Sequence, residues 1–259
     1  MRIMIIGDVI GEVGIQYVMQ HLFSMRKSMK IDFCIANGEN AATGNGISKK
    51  SAKSLYDGGV DAITLGNHAF RRLKELDEIF DGRFAVVRPA NYPKGSPGSG
   101  HILIDTEITT IALINALGRI YMQPIDCPFV AVDRELEAIG DKAKIKIVDF
   151  HAEATSEKLG MLYHLDGKVS ALVGTHTHVQ TADERITKKG TAYLTDLGMT
   201  GPIDSILGVE SEIAHDRMVS LLPKRFETAE GACMLSGVII EIDENSGKAI
   251  SIERINCGE

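Results

Sequence analysis

Two histidines two residues apart, His176 and His178, lie in the stretch Gly174-Thr175-His176-Thr177-His178-Val179-Gln180. An apolar run before them, Val169-Ser170-Ala171-Leu172-Val173, reads as a buried strand. Alternate side chains of an extended backbone share one side, so both imidazoles are expected to project together from the strand end. Two adjacent neutral imidazoles suit a pair of metal ions better than a hydrophobic core. Polar residues recur at the ends of other apolar runs. Asp8 follows Ile3–Ile6, Glu39 and Asn40 follow Phe33–Ala36, Asn67 and His68 follow Ala62–Leu65, and His151 follows Lys144–Phe150. Taken singly, Asp8 reads equally well as a turn residue, and His151 reads better as a structural histidine. Their shared placement at strand ends argues for one cluster. Its carboxylates, amides and imidazoles form a mixed oxygen and nitrogen donor set that Mn, Fe or Zn accepts. One tetrahedral ion cannot use them all, whereas two ions bridged by a carboxylate can. Such pairs polarise a phosphoryl group and brace its attacking and leaving oxygens.

The elements that must position these residues alternate. Val13–Met29 has helical spacing at Ile15, Val18, Met19, Leu22 and Met25. Ser48 reads as the N-cap of a helix reaching about Asp57. Leu73–Phe80 reads as helix, and Ala85–Val87 as a short strand. This βαβα order predicts a largely parallel sheet with helices on its faces, whose ligand crevice lies at the carboxyl ends of the strands. Pro89–Gly100 reads as a loop. Strands are expected at His101–Asp105 and Thr110–Asn115, and helices over Val132–Asp141 and from Thr155. Ala232–Ile242 and Lys248–Ile255 flank a turn at Asp243–Gly247 and read as a hairpin. The whole reads as a single α/β domain, 1–259, with two sheets.

The 44% hydrophobic content of the 259 residues is ordinary for a sizeable core. A net charge of -7 argues against stable binding to nucleic-acid backbone. Aromatics at 5%, with no Trp, argue against a base-stacking platform. Cys34, Cys127, Cys233 and Cys257 lack Cys-x-x-Cys spacing, which argues against a zinc ribbon and suits a reducing cytoplasm. No apolar run approaches the ~20 residues that span a bilayer, and the first residues do not read as a signal peptide. The expectation is a soluble, cytoplasmic protein without a membrane partner.

At these residues the chain resembles the calcineurin-like metallophosphoesterases, which carry Asp, Gly-Asn-His and Gly-His-x-His blocks at strand ends. More closely it is similar to their YmdB-like 2′,3′-cyclic-nucleotide 2′-phosphodiesterase branch. The matching blocks are Ile6–Gly11, Asn37–Ala42, Gly66–His68, Arg88–Asn91, Asp149–Lys158, Gly174–Asp183, Thr195–Pro202 and Ala229–Gly231. The resemblance implies a four-layer α/β/β/α sandwich of two mixed sheets flanked by helices. It implies two metals, iron or manganese. Metal one would take Asp8, Glu39, Asn40 and His178. Metal two would take Glu39, Asn67, His151 and His176, with Glu39 bridging. His68 would be the catalytic acid, protonating the leaving oxygen after a metal-bound hydroxide attacks phosphorus. Two departures are visible. Ile10 stands where the superfamily often has a histidine, a ligand role that falls to Asn40 in this branch. Ala69-Phe70-Arg71 replaces a run like Thr-Trp-Asp.

The leading reading is therefore a phosphoric diester hydrolase acting on a small nucleotide phosphodiester. A phosphomonoesterase or nucleotidase on the same metals is an alternative, as is a non-catalytic nucleotide-sensing regulator. The substrate-binding residues are not legible, although Asn115 and Arg119 are candidates. Gly44–Ser48 reads as a turn plus an N-cap rather than a phosphate cradle, and Met199–Pro202 as a structural turn near the site. Homo-oligomerisation is compatible with the sequence.

Overall fold

The structure, a computed structural model, describes residues 1–258. The first half runs β1 (Arg2–Ile6), β2 (Asp8–Val9), α1 (Gly11–Met29), β3 (Phe33–Asn37), α2 (Lys49–Asp57) and β4 (Ala62–Thr64). A 3-10 turn (Leu73–Glu75) then leads into α3 (Leu76–Ile79), β5 (Val86–Val87), β6 (His101–Asp105) and β7 (Thr110–Leu117). The second half runs α4 (Pro128–Ile139), β8 (Ile145–His151), α5 (Thr155–Leu165), β9 (Ala171–Thr175), β10 (Arg185–Ile186) and β11 (Ala192–Leu194). It closes with β12 (Met199–Pro202), α6 (Ser211–Ser220), β13 (Cys233–Ile242) and β14 (Ala249–Gly258).

Two mixed sheets result. The first has the order β2-β12-β13-β1-β3-β4-β5, with β14 also paired to β13. Within it β1, β3, β4 and β5 are parallel, while β13 is antiparallel to β1. The second has the order β10-β11-β9-β8-β7-β6, with β7, β8, β9 and β11 parallel. Strand alternation sorts the apolar side chains into three layers. Ile3 and Ile5 of β1 pack with Ile145, Ile147, Ala171 and Val173 between the sheets. Met4 and Ile6 face the other way, onto Ile15, Val18 and Leu22 of α1. Val148 and Phe150 of β8 pack on Met161, Leu162 and Leu165 of α5 and on Val132 of α4. The architecture is the four-layer α/β/β/α sandwich.

Most expected elements are present. Ser48 caps α2, its hydroxyl accepting from the Ser51 backbone N–H at 3.0 Å. Cys34 is core filling, fully buried. Three expectations need correction. Met199–Pro202 is not a turn but β12, which pairs parallel with Asp8 and Val9 and antiparallel with β13. All four of its residues are buried, so backbone pairing on both sides overrides the turn signal of Gly201-Pro202. Helix α4 starts at Pro128 rather than Val132, because proline is preorganised for the first helical turn. The helix expected over Leu73–Phe80 divides into the 3-10 turn and α3.

Candidate metal centre

The parallel strands β1, β3 and β4 of one sheet and β8 and β9 of the other deliver the expected residues to one place. Glu39 is 1% exposed, yet its Oε1 lies 3.0 Å from His151 Nε2 and 3.2 Å from His68 Nδ1. Asn67 Oδ1 lies 3.0 Å from the same His151 Nε2, and His176 Nδ1 lies 3.1 Å from it. On the other side of Glu39, Asn40 Nδ2 is 3.2 Å from His178 Nε2, and His178 Nε2 is 3.7 Å from Asp8 Oδ1. All eight expected residues are therefore neighbours. Among the described residues, Glu39, His151 and His176 form a group whose donor atoms lie within 4.8 Å of one another.

The outward hydrogen bonds of the three rings show what the centre fits. His151 Nδ1 is 2.9 Å from the Thr175 hydroxyl, whose own proton goes to Asp149 Oδ1 at 2.7 Å. His176 Nε2 is 3.1 Å from Glu153 Oε2, and His178 Nδ1 is 3.0 Å from the Leu207 carbonyl. Each ring thus has an oxygen acceptor at its far nitrogen. In the neutral rings that leaves three lone pairs turned inward: His151 Nε2 toward Glu39 Oε1 and Asn67 Oδ1, His176 Nδ1 toward His151 Nε2, and His178 Nε2 toward Asp8 Oδ1. Acceptors facing acceptors call for a cation. Burying one unpaired ion costs several kcal/mol, and here Asp8 and Glu39 are buried together. Divalent metals fit this donor set, with the outward partners fixing ring orientation.

Without a metal, protons take up the role. Burial disfavours a charged His151, but the Glu39 and Asp8 carboxylates outweigh it and raise its pKa to about 9. Burial would raise Glu39, yet His151 and His68 hold it well below the usual carboxylate range. Asp8 is likewise held low against burial, by His178 and His151. His176 is lowered by burial and by the neighbouring His151 charge. Burial pushes Asp149 up to about 6, against hydrogen bonds from Thr64, Thr175 and Asn37.

Local backbone differs from the expectation at the histidine pair. Strand β9 stops at Thr175, and His176 and His178 have φ of 102° and 64°. They sit in a turn, not on extended backbone. The cause is two carboxylates that draw backbone N–H groups out of the ladder. Asp8 Oδ2 accepts from His176 N, and Asp196 Oδ2 accepts from Thr177 N, each at 3.1 Å. Asp196 is itself fixed by Lys158 at 2.7 Å, both buried. The turn separates the two rings, sending His176 to His151 and His178 to Asn40 and Asp8. Gly66 is required by crowding, since a Cβ there would lie 2.1 Å from Glu39 Oε2 and 2.4 Å from His151 Cδ2.

The Asn40 amide is oriented with Nδ2 toward His178 and Oδ1 3.2 Å from His68 Nδ1. It must turn over to offer its oxygen beside Asp8; O and N assignments of an amide follow its partners. Asn115 and Arg119 do not line the cavity at the centre. Asn115 is fully buried and donates to the Asp149 carbonyl, and the Arg119 backbone N–H bonds Glu157. Sequence reasoning missed Glu153, Thr175, Asp149, Lys158 and Asp196 as supports, although all five lie in the blocks that carried the resemblance. It met Arg71 only as a departure from the family pattern beside His68 and missed Arg217, Arg225 and Phe226; all four line the cavity.

The family model described as YmdB-like protein matches residues 4–255. The chain belongs to the YmdB-like family. Over 255 residues this YmdB-like chain is 48% identical to the 2′,3′-cyclic-nucleotide 2′-phosphodiesterase of Bacillus subtilis, covering 98% of this chain and 96% of that protein. A crystal structure described as a novel phosphatase from Mycoplasma pneumoniae is 33% identical, with a TM-score of 0.94, covering 100% of this chain and 93% of that one. The NAD nucleotidase of Haemophilus influenzae shares the fold at 13% identity and a TM-score of 0.63, covering 99% of this chain and 55% of that one. Among the described residues no helix is long and apolar enough to cross a membrane.

Proposed function

We propose that this chain is a two-metal phosphodiesterase that opens 2′,3′-cyclic nucleotides at the 2′ ester to give 3′-nucleotides. The observation that carries the reading is the gathering of His151 Nε2, His176 Nδ1 and His178 Nε2 with Asp8, Glu39 and Asn67, beside a cavity that Glu39, His176 and His178 help to line. The Bacillus relative's described activity supplies the substrate class.

Metal one is assigned to Asp8, Glu39, Asn40 and His178, and metal two to Glu39, Asn67, His151 and His176. Glu39 is common to both because Oε1 faces His151 while Asn40 Nδ2 stands 3.4 Å from it on the other side. Iron or manganese suits these oxygen and nitrogen donors, and when bound the pair supplies Lewis-acid polarisation of the phosphoryl group and an activated water. His68 is held at Nδ1 by Glu39 Oε1, the partner that stays when the Asn40 amide turns over, leaving Nε2 beside Asn45 and Asn67 at 3.4 and 3.3 Å. As an imidazolium it gives its Nε2 proton to O2′ as the P–O2′ bond breaks. The water's OH goes to phosphorus, its remaining proton restores His68, and the phosphate stays on O3′. The four cysteines are free, which suits a cytoplasmic setting.

Product analysis tests the reading. Metal-loaded protein given 2′,3′-cyclic AMP is expected to yield 3′-AMP, whereas 2′-AMP or no product contradicts it. A phosphomonoesterase reading draws on the Mycoplasma relative's description. Nucleoside monophosphates in the same assay decide between the two.

A further inference from the structure

The cavity above the cluster has a volume of ≈ 700 Å³. Glu39, Asn40, His68, His176 and His178 form only part of its wall, and Arg71, Arg217, Arg225 and Phe226 contribute to the rest. Phe226 is 48% exposed, and the Arg217 guanidinium lies 4.4 Å from its ring centroid. Elsewhere arginines are paired, as Arg26 is with Asp61 and Arg134 with Glu135. Among the described residues, no carboxylate pairs with Arg71, Arg217 or Arg225. Of the other acidic residues on the wall, Glu153 is engaged by His176, which leaves Glu227 against three guanidiniums. A cyclic mononucleotide brings one negative charge, and the proposed chemistry places that charge at the metals.

We propose that the Arg71, Arg217, Arg225 and Phe226 wall is a subsite for a second phosphate on the 5′ side of the cyclic nucleotide, an inference that rests on the phosphodiesterase reading. Guanidinium forks match phosphate oxygens in pairs, and an aromatic face backed by arginine accepts any base. The second phosphate belongs either to a free 5′-phosphorylated nucleotide or to the linkage of a short RNA end that carries a 2′,3′-cyclic phosphate. The charge of -7 keeps long RNA away while this local cluster admits an end.

Three probes test the proposal: 2′,3′-cyclic AMP, its 5′-phosphorylated form, and diadenylate ending in a 2′,3′-cyclic phosphate. kcat/KM is measured on the metal-loaded wild type, on Arg217→Ala/Arg225→Ala and on Phe226→Leu. Dissociation constants are measured on metal-loaded His68→Ala. The 5′-phosphoryl group is expected to raise kcat/KM and affinity about tenfold. It should also steepen the dependence of log affinity on log salt by about 0.7. The double variant should abolish the gain. If the phosphorylated mononucleotide carries all of it, the ligand is a free nucleotide. If diadenylate gains further, and Phe226→Leu removes that increment, the ligand is an RNA end. Equal values for the three probes in the wild type, or a gain intact in the double variant, overturn the proposal. The salt slope is read with Arg71, Arg217, Arg225 and Phe226 all in place, so misfolding of a variant of that wall cannot mask the answer. If no probe is hydrolysed yet the 5′-phosphorylated ones bind more tightly, the phosphodiesterase reading fails and the subsite stands.

Discussion

Glu39 ties the centre together, because one oxygen reaches toward His151, His68 and Asn40 at once. Two expectations belong to this scale. His68→Ala should keep two metals per chain and lose about 10²–10⁴-fold in turnover, the usual weight of a general acid. Metal analysis beside kcat checks this, and loss of a metal would make His68 a ligand instead. The second concerns protons. His151 of the metal-free protein is charged below about 9, and metal binding must expel that proton. Its folded pKa is raised, so metal affinity should be flat above that pH and fall about tenfold per unit below it. Calorimetry at pH 7 in buffers of different ionisation enthalpy should show one proton released with the metal at His151; none released contradicts the assignment. The eight residues that cluster here were legible as strand-end residues because each sits where an apolar run stops, whereas the ligand and acid roles proposed for them came from the resemblance. Glu153 and Thr175 were not, because a residue that only orients a ligand has no spacing signature of its own.

At the scale of elements, the centre depends on close approach between the two sheets. Strand β4 ends at Thr64, and Gly66 lets the chain pass against Glu39 and His151. A methyl group there must displace one of them. Gly66→Ala is expected to retain its circular dichroism and lose most of its metal, and a fully loaded variant would show that the crowding is relieved at no cost. The strand-and-helix order was legible where period and caps agree, as in α1 and in Ser48 before α2. Helix α6 was not, because its only buried residue is Ala214 and no apolar stripe marks it. Strand β12, four residues long and buried throughout, offers no alternation to read. The histidine turn was misread as extended because its shape is imposed by Asp8 and Asp196, far away in sequence.

At the scale of the whole molecule, one apolar layer is shared by both sheets, with residues from β1, β3, β8, β9 and β13 in contact. That sharing supports the proposal of a single cooperative domain. Heating or urea should give one transition by every probe, and two separated transitions would contradict it. Metal at a hundred times its Kd adds about 2.7 kcal/mol per site to the folded state, so a chelator that removes both ions should lower Tm by roughly 10–20 °C. The most direct test is a titration of metal-free protein with Mn²⁺, following bound metal and 2′,3′-cyclic AMP hydrolysis in the same samples. Activity is expected to rise until two equivalents are bound per chain and then stay level. Saturation at one equivalent, or two bound ions without hydrolysis, would contradict the two-metal phosphodiesterase.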